Sequence, residues 1–184
     1  MTETLPLAVD LDGTLIRTDL FAKAMHKILR TPRAPLLLVW LTRGRAYAKH
    51  KLARIFPCDP ATLPYDERVL AWLKQQRAQG RTLTLATGSD QSDADRVAGY
   101  LGLFDHTFGS NGVDNLKAGR KARKLAETFP NGFVYAGNEG ADWIVWEAAK
   151  AAVVANASPA LARRAEARFT IEKIFPAQRN TNNR

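Results

Sequence analysis

Along this chain, apolar runs of strand length alternate with stretches of helical period, and that alternation is the strongest constraint on what it can fold into. Residues 5–9, 82–86, 133–136 and 152–155 are the strand-length runs, with weaker ones at 107–108 and 169–171. Between them, Val69, Leu70 and Leu73, then Ala94, Val97, Ala98 and Leu101, then residues 121–129 and 141–149, recur at helical spacing. Strands that take turns with helices predict an α/β protein whose parallel sheet is covered on both faces. One connection breaks the pattern. The gap between the first two strands is too long for a single crossover helix and predicts a helical insertion over residues 17–79. The sheet-forming core is expected at 1–16 and 80–175, and a polar, disordered tail at 176–184.

The insertion is also where the charge lies. The chain carries 27 basic and 18 acidic residues, a net +9. Ten of the basic residues fall between Arg17 and Arg54, where Asp19 is the single acid. The rest of the protein is therefore neutral, and the basic segment is suited to an anionic partner. Leu36 to Leu41 is apolar throughout and includes Trp40, and it precedes Arg43, Arg45, Lys49, Lys51 and Arg54. An apolar stretch with a Trp beside a cationic one predicts contact with an anionic membrane surface; the competing expectation is that it forms the insertion's own core. Nucleic acid is not expected as a partner, since only Tyr47 and His50 interleave the cations and no nucleic-acid motif is present. The single cysteine, Cys58, excludes an internal disulfide framework. No run approaches the roughly 20 apolar residues of a membrane span. Met1-Thr-Glu-Thr lacks the pattern of an export signal, which points to the cytoplasm.

In a parallel sheet, ligands bind beyond the carboxyl ends of the strands, and three such ends carry polar groups here. The first is Val9-Asp10-Leu11-Asp12-Gly13-Thr14-Leu15. Two carboxylates follow a buried strand, and Gly13 lets the backbone turn sharply. One carboxylate can attack phosphorus while the other moves a proton, and together they form a hard-oxygen site for Mg²⁺. The second is Leu85-Ala-Thr87-Gly88-Ser89-Asp90, a hydroxyl-bearing turn into a helix whose free N–H groups suit a phosphate. The third is Tyr135-Ala-Gly137-Asn138-Glu139-Gly-Ala-Asp142, where Asn138 and Asp142 can give oxygen to a metal. Gly13, Thr14, Gly88, Ser89 and Lys117 are the candidate substrate-holding groups around these ends.

Asp10-Leu-Asp-Gly-Thr-Leu15, Thr87 and Gly137-Asn-Glu-Gly-Ala-Asp142, in this order, resemble the haloacid dehalogenase-like superfamily, over about residues 5–157. That resemblance implies a Rossmann-like core with a cap inserted after the first strand. It implies an Mg²⁺-dependent phosphatase working through an aspartyl-phosphate. Asp10 would be the nucleophile, Asp12 the general acid and base, and Thr87 the phosphoryl-binding hydroxyl. Lys121, or failing it Lys117, would neutralise the phosphoryl group. The metal would be held by Asp10, Asp12, Asn138 and Asp142. An acid two residues after the nucleophile argues for phosphoryl transfer rather than dehalogenation. Where the superfamily usually has Gly-Asp, this chain has Gly137-Asn138. The missing charge should weaken metal binding, and Glu139 or Asp142 is placed to compensate.

A narrower set of segments, including Asp10 to Leu20, Leu63-Pro-Tyr65, Gly102-Leu-Phe-Asp105, Asn115-Leu-Lys117 and Tyr135-Ala-Gly-Asn138, is similar to the phosphatase-like domain fused ahead of some UbiA-family prenyltransferases. It implies a polyprenyl-linked sugar phosphate as substrate, and a prenyltransferase partner. No transferase follows within these residues, so the expectation is a separate phosphatase. The alternative is a catalytically weak module that binds a membrane enzyme or a phosphorylated ligand.

Overall fold

The computed structural model describes residues 4–178. Six strands form one fully parallel sheet: β1 (Leu7–Val9), β2 (Leu83–Asp90), β3 (His106–Ser110), β4 (Val134–Gly137), β5 (Ala151–Ala155) and β6 (Ile171–Phe175). Their order across the sheet is β3-β2-β1-β4-β5-β6. The chain builds outward from β1 on one side, then returns to start again on the other. β1 is thus the switch point, and its carboxyl end opens a crevice between β2 and β4.

Side chains alternate along each strand, so every strand serves two cores. Leu7, Val9, Leu83, Leu85, Val134 and Ala136 face one side. There they pack on α4 (Glu67–Ala78) through Val69, Leu70 and Leu73, and on α5 (Gln91–Leu101) through Ala94 and Val97. Ala8, Ala86, Tyr135, Ala152 and Val154 face the other. They meet α6 (Gly119–Thr128), α7 (Trp143–Ala148) and α8 (Pro159–Arg168), with Trp146 1% exposed at the centre. Strands buried on both faces account for the near-continuous apolar runs in the sequence.

Three helices follow β1: α1 (Leu20–Ile28), α2 (Ala34–Thr42) and α3 (Arg45–Ile55). Asp19 caps α1, its carboxylate accepting the Ala22 N–H at 2.8 Å. The three close on a core of their own: Phe21, Ala24, Ile28, Leu37, Trp40, Ala48 and Leu52. α3 clasps the sheet through consecutive residues. Lys49 Nζ donates to the Gly88 carbonyl and to Asn115 Oδ1, and His50 Nδ1 lies 3.1 Å from Asp90 Oδ2.

Four expectations are corrected. Trp40 is not a surface ring: it is 8% exposed, inside the three-helix core. The apolar exposure on α2 comes instead from Leu36, Leu38, Val39 and Leu41, because a helix apolar all round can bury only one face here. α4 belongs by packing to the sheet and not to the insertion, since its buried face joins the core around β1 and β2. β2 runs on through Asp90, so Gly88-Ser89 is strand, irregular in register against β3, and the turn comes only where Asp90 caps α5. In the tail, Pro176 and Gln178 take hydrogen bonds from Arg68 and Arg17; residues 179–184 lie outside the described residues.

Candidate active site

β1 ends by placing Asp10 at the crevice, where its N–H donates to the Ala136 carbonyl of β4 at 3.0 Å. The chain then folds back at once. The N–H groups of Thr14, Leu15 and Ile16 all converge on the Leu11 carbonyl. This tight loop needs Gly13, which has φ 75°. A Cβ there would clash with the Asn138 side-chain amide, which would have to move aside.

Asp10 is 6% exposed, and its Oδ1 accepts from Lys121 Nζ at 2.9 Å. Lys121, 3% exposed on α6, also donates to Tyr135 Oη at 2.7 Å, and Tyr135 Oη donates in turn to Asp142 Oδ1 at 2.7 Å. Asp10, Lys121, Tyr135 and Asp142 thus form one buried chain of hydrogen bonds holding two carboxylates and one cation. Burial drives the Asp10 carboxyl above the usual carboxylate range, against the pull of Lys121. Burial would lower Lys121, but Asp10 and Asp142 outweigh it and keep the ammonium charged.

Asp12 sits beside this chain with both oxygens engaged. Oδ1 accepts the Leu20 N–H at 2.8 Å, and Oδ2 accepts the Ser89 hydroxyl at 2.5 Å. Burial raises its pKa, which the Ser89 bond only partly offsets. A carboxyl that is partly desolvated, held by a hydroxyl and raised toward neutrality is suited to giving and taking a proton.

A cavity of about 410 Å³ lies over these groups, lined by Asp10, Asp12, Gly13, Gly88, Ser89, Lys117, Lys121, Asn138 and Asp142 among others. Eight of the predicted residues besides Asp10 therefore meet at one place. Two do not reach it. Thr87 is fully buried, and its Oγ1 accepts the Ser89 N–H and stands 3.5 Å from Asp12 Oδ2. Thr14 is also fully buried, its hydroxyl donating to Asn138 Oδ1 at 3.2 Å. Both support the groups that line the cavity, and Ser89 is the hydroxyl residue of this turn that lines it. Of the two lysines, Lys121 meets Asp10, whereas Lys117 stands at the rim paired with Glu139 at 2.7 Å.

The oxygens left for a metal are few. Among the described residues no group of three or more His, Cys, Asp or Glu is arranged to hold one. Asp142 lines the cavity, but its Oδ2 accepts the N–H groups of Asn138 and Glu139 and its Oδ1 accepts from Tyr135, so it shapes the loop. Gly137 belongs to that arrangement: a Cβ there would lie 2.6 Å from Asp142 Cγ. Asp10, Asp12 and Asn138 also line the cavity, the Asn138 amide oxygen accepting the Thr14 hydroxyl with one of its two lone pairs. Such a donor set fits Mg²⁺, which commonly takes one or two carboxylates and completes its shell with water and phosphate. A divalent cation would also offset the excess negative charge around Lys121.

Sequence reasoning missed Thr18, Asp19, Lys49 and Asn115, which also line the cavity, and four further residues of this site. Tyr135 reads as an ordinary strand position, and Arg17, Phe21 and Arg45 read as part of a charge run or of a helix face. Each lines the cavity or joins its hydrogen-bond chain. For Tyr135 the available signal was a hydroxyl in an otherwise apolar strand, two residues before Gly137.

The parallel sheet with this strand order has the Rossmann-like fold of solved haloacid dehalogenase-like phosphatases. The comparisons agree. A substrate-bound phosphoserine phosphatase superposes with a TM-score of 0.64 at 15% identity, covering 94% of this chain and 95% of that one. A haloacid dehalogenase family hydrolase from Salmonella enterica serovar Typhi gives a TM-score of 0.66 at 13% identity, covering 93% and 68%. No protein-family model matches the chain. Among curated proteins, the uncharacterized protein y4nM of Sinorhizobium fredii (strain NBRC 101917 / NGR234) is 42% identical over 153 residues, which is 82% of this chain. The match spans only 30% of that relative's length.

Proposed function

We propose that the protein is an Mg²⁺-dependent phosphomonoesterase. The observation that carries this is the buried Asp10–Lys121 pair with Asp12 alongside it, all facing one cavity. Asp10 attacks the phosphorus through a carboxylate oxygen, and the ester P–O bond breaks as Asp12 delivers its proton to the leaving oxygen. Water then attacks the aspartyl-phosphate, Asp12 takes the proton from it, and the P–O bond to Asp10 breaks to release phosphate. Lys121 and the Ser89 hydroxyl lie where the transferring phosphoryl oxygens gather charge. Asp10 and Asn138, with Asp12 beside them, would hold Mg²⁺, which supplies further neutralisation of those oxygens. Asp142 keeps the Asn138 loop in position, and Thr87 keeps Ser89 and Asp12 in position.

The test is hydrolysis of p-nitrophenyl phosphate by the full chain. Turnover should require added Mg²⁺ and vanish with excess chelator. Binding of Mg²⁺ without hydrolysis of any phosphate ester would leave the weak binding module as the better reading.

A finer reading places the substrate at a membrane: a polyprenyl-linked sugar phosphate, with a prenyltransferase partner. The segment similarities to the UbiA-fused domains support it. So does the exposed apolar face of α2, where Leu38 is 70% and Val39 54% exposed between Arg33 and Arg43. Such a face beside cations suits an anionic bilayer surface. Among the described residues no helix is long and apolar enough to cross a membrane. Vesicles containing phosphatidylserine should co-sediment the protein at low salt and release it as salt screens the charges. Leu38→Asp should abolish the sedimentation; binding that survives this change would remove the support from α2.

A further inference from the structure

The cavity is chemically divided. Its floor holds the carboxylates, and each floor or rim lysine there is paired, Lys121 with Asp10 and Lys117 with Glu139. The wall toward the insertion holds Arg17, Arg45 and Lys49. Among the described residues, none of these three has a carboxylate within 4.0 Å. Arg17 donates to the neutral Gln178 side chain, and Lys49 to the Gly88 carbonyl and Asn115. Arg45 and Lys49 lie one turn apart on α3, each 5.7 Å from the centroid of the Phe21 ring, so both cations are gathered about one aromatic ring. Asp19 is the acid on that wall, and its carboxylate caps α1.

We infer that this wall is a second-anion subsite: the leaving alcohol of the substrate carries a further phosphate, bound by Arg17, Arg45 and Lys49. The inference rests on the phosphomonoesterase reading and adds the class of ester. Three cations against Asp19 leave two positive charges, which matches a phosphate dianion. Guanidinium forks fit its oxygens two at a time. Lys49 is half-buried, and burial lowers its pKa, a cost that an adjacent anion would relieve. Arg17 and Arg45 are exposed to solvent; what sets this wall apart from a solvated basic face is that all three cations line one cavity, two of them around a shared ring. Lys49 also holds α3 to the Gly88 strand, so the same contact that closes the insertion over the floor brings the cations to the substrate.

The experiment compares matched esters on the full chain with Mg²⁺: glucose 6-phosphate with glucose 1,6-bisphosphate, and glycerol 3-phosphate with 3-phosphoglycerate. The bisphosphate should exceed its partner in kcat/KM by about tenfold or more, the scale of a hydrogen bond to a charged group. The carboxylate-bearing ester should show a smaller advantage. In Arg45→Gln, and separately in Arg17→Gln, the bisphosphate advantage should shrink by about tenfold, with Arg45→Lys retaining part of it. Unchanged melting temperatures would show that the fold is intact in each variant. Equal kcat/KM for the paired esters, or the same ratio in the variants, would overturn the subsite. If no ester is hydrolysed, p-nitrophenyl phosphate included, the phosphatase reading fails first. Calorimetric binding then decides the subsite by itself: glucose 1,6-bisphosphate must bind more tightly than glucose 6-phosphate, and must lose that advantage in Arg45→Gln.

Discussion

Asp10→Asn should abolish turnover while leaving the protein folded. The amide has the shape of the carboxylate but cannot serve as the anionic nucleophile, so no aspartyl-phosphate forms. A loss of at least about a thousandfold in kcat is expected, because the remaining groups have nothing to transfer the phosphoryl group to. The effect on stability runs the other way. In the buried chain, Asp10 and Asp142 share Lys121, so one negative charge is in excess. The amide removes that charge and leaves the Lys121–Asp142 pair and the Tyr135 bonds in place. Because burial raises the Asp10 pKa above the ordinary 3.8, the native metal-free protein holds a proton that the unfolded chain has released. Native stability therefore falls as pH rises from about 3.8 through the raised value. Asp10→Asn lacks that slope. Without metal it should melt no lower than the parent at neutral pH, and its relative advantage should fade as pH falls toward 4. A variant that keeps a tenth of parental activity would defeat the assigned nucleophile. One that melts far below the parent would show that Lys121 depends on Asp10 more than on Asp142.

How far the sequence could reach is set by what kind of physics fixes each feature. The α/β alternation and the Asp10-Leu-Asp12-Gly13 turn are local: burial of a strand on both faces and the turn at Gly13 leave marks in consecutive residues. The roles of Thr87 and Ser89 are not local. They depend on the irregular stretch of β2 between Ala86 and Asp90, where Ser89 lines the cavity and Thr87 does not. A cap-like Ser-Asp pair concealed this, since the same residues commonly start a helix. The basic segment shows the same limit. Its charge was countable, but Arg45 and Lys49 face the catalytic groups while Arg43 lies outside, a division that exists only once α3 has docked against Phe21. Trp40 went inward for a reason the sequence does not order: α2 is apolar on all sides, and which face is buried depends on α1 and α3.

Lys121→Met should be the most damaging single change to stability and should also lower activity, and Mg²⁺ should separate the two effects. Methionine fills the space but supplies no charge. Asp10 and Asp142 would then be two buried carboxylates with no cation between them. Removing one partner of a buried ion pair costs about 3–5 kcal/mol, because the other charge stays buried and uncompensated. Tyr135→Phe is the proper control. It removes the hydroxyl that links Lys121 to Asp142 but keeps every charge, so about 1–3 kcal/mol is expected. Urea titrations at neutral pH without metal should rank the proteins as parent, Tyr135→Phe, then Lys121→Met. A divalent cation bound beside Asp10 offsets part of the missing charge. Saturating Mg²⁺ should therefore narrow the gap between Lys121→Met and the parent, while the gap for Tyr135→Phe stays nearly constant. Activity should not follow. Lys121 also faces the transferring phosphoryl group, and losing a positioned cation there should lower kcat by about a hundredfold or more even when the metal has restored the fold. If Lys121→Met unfolds like the parent without metal, Asp10 and Asp142 carry less charge than the geometry implies, and protonation rather than the lysine is what keeps the buried chain neutral.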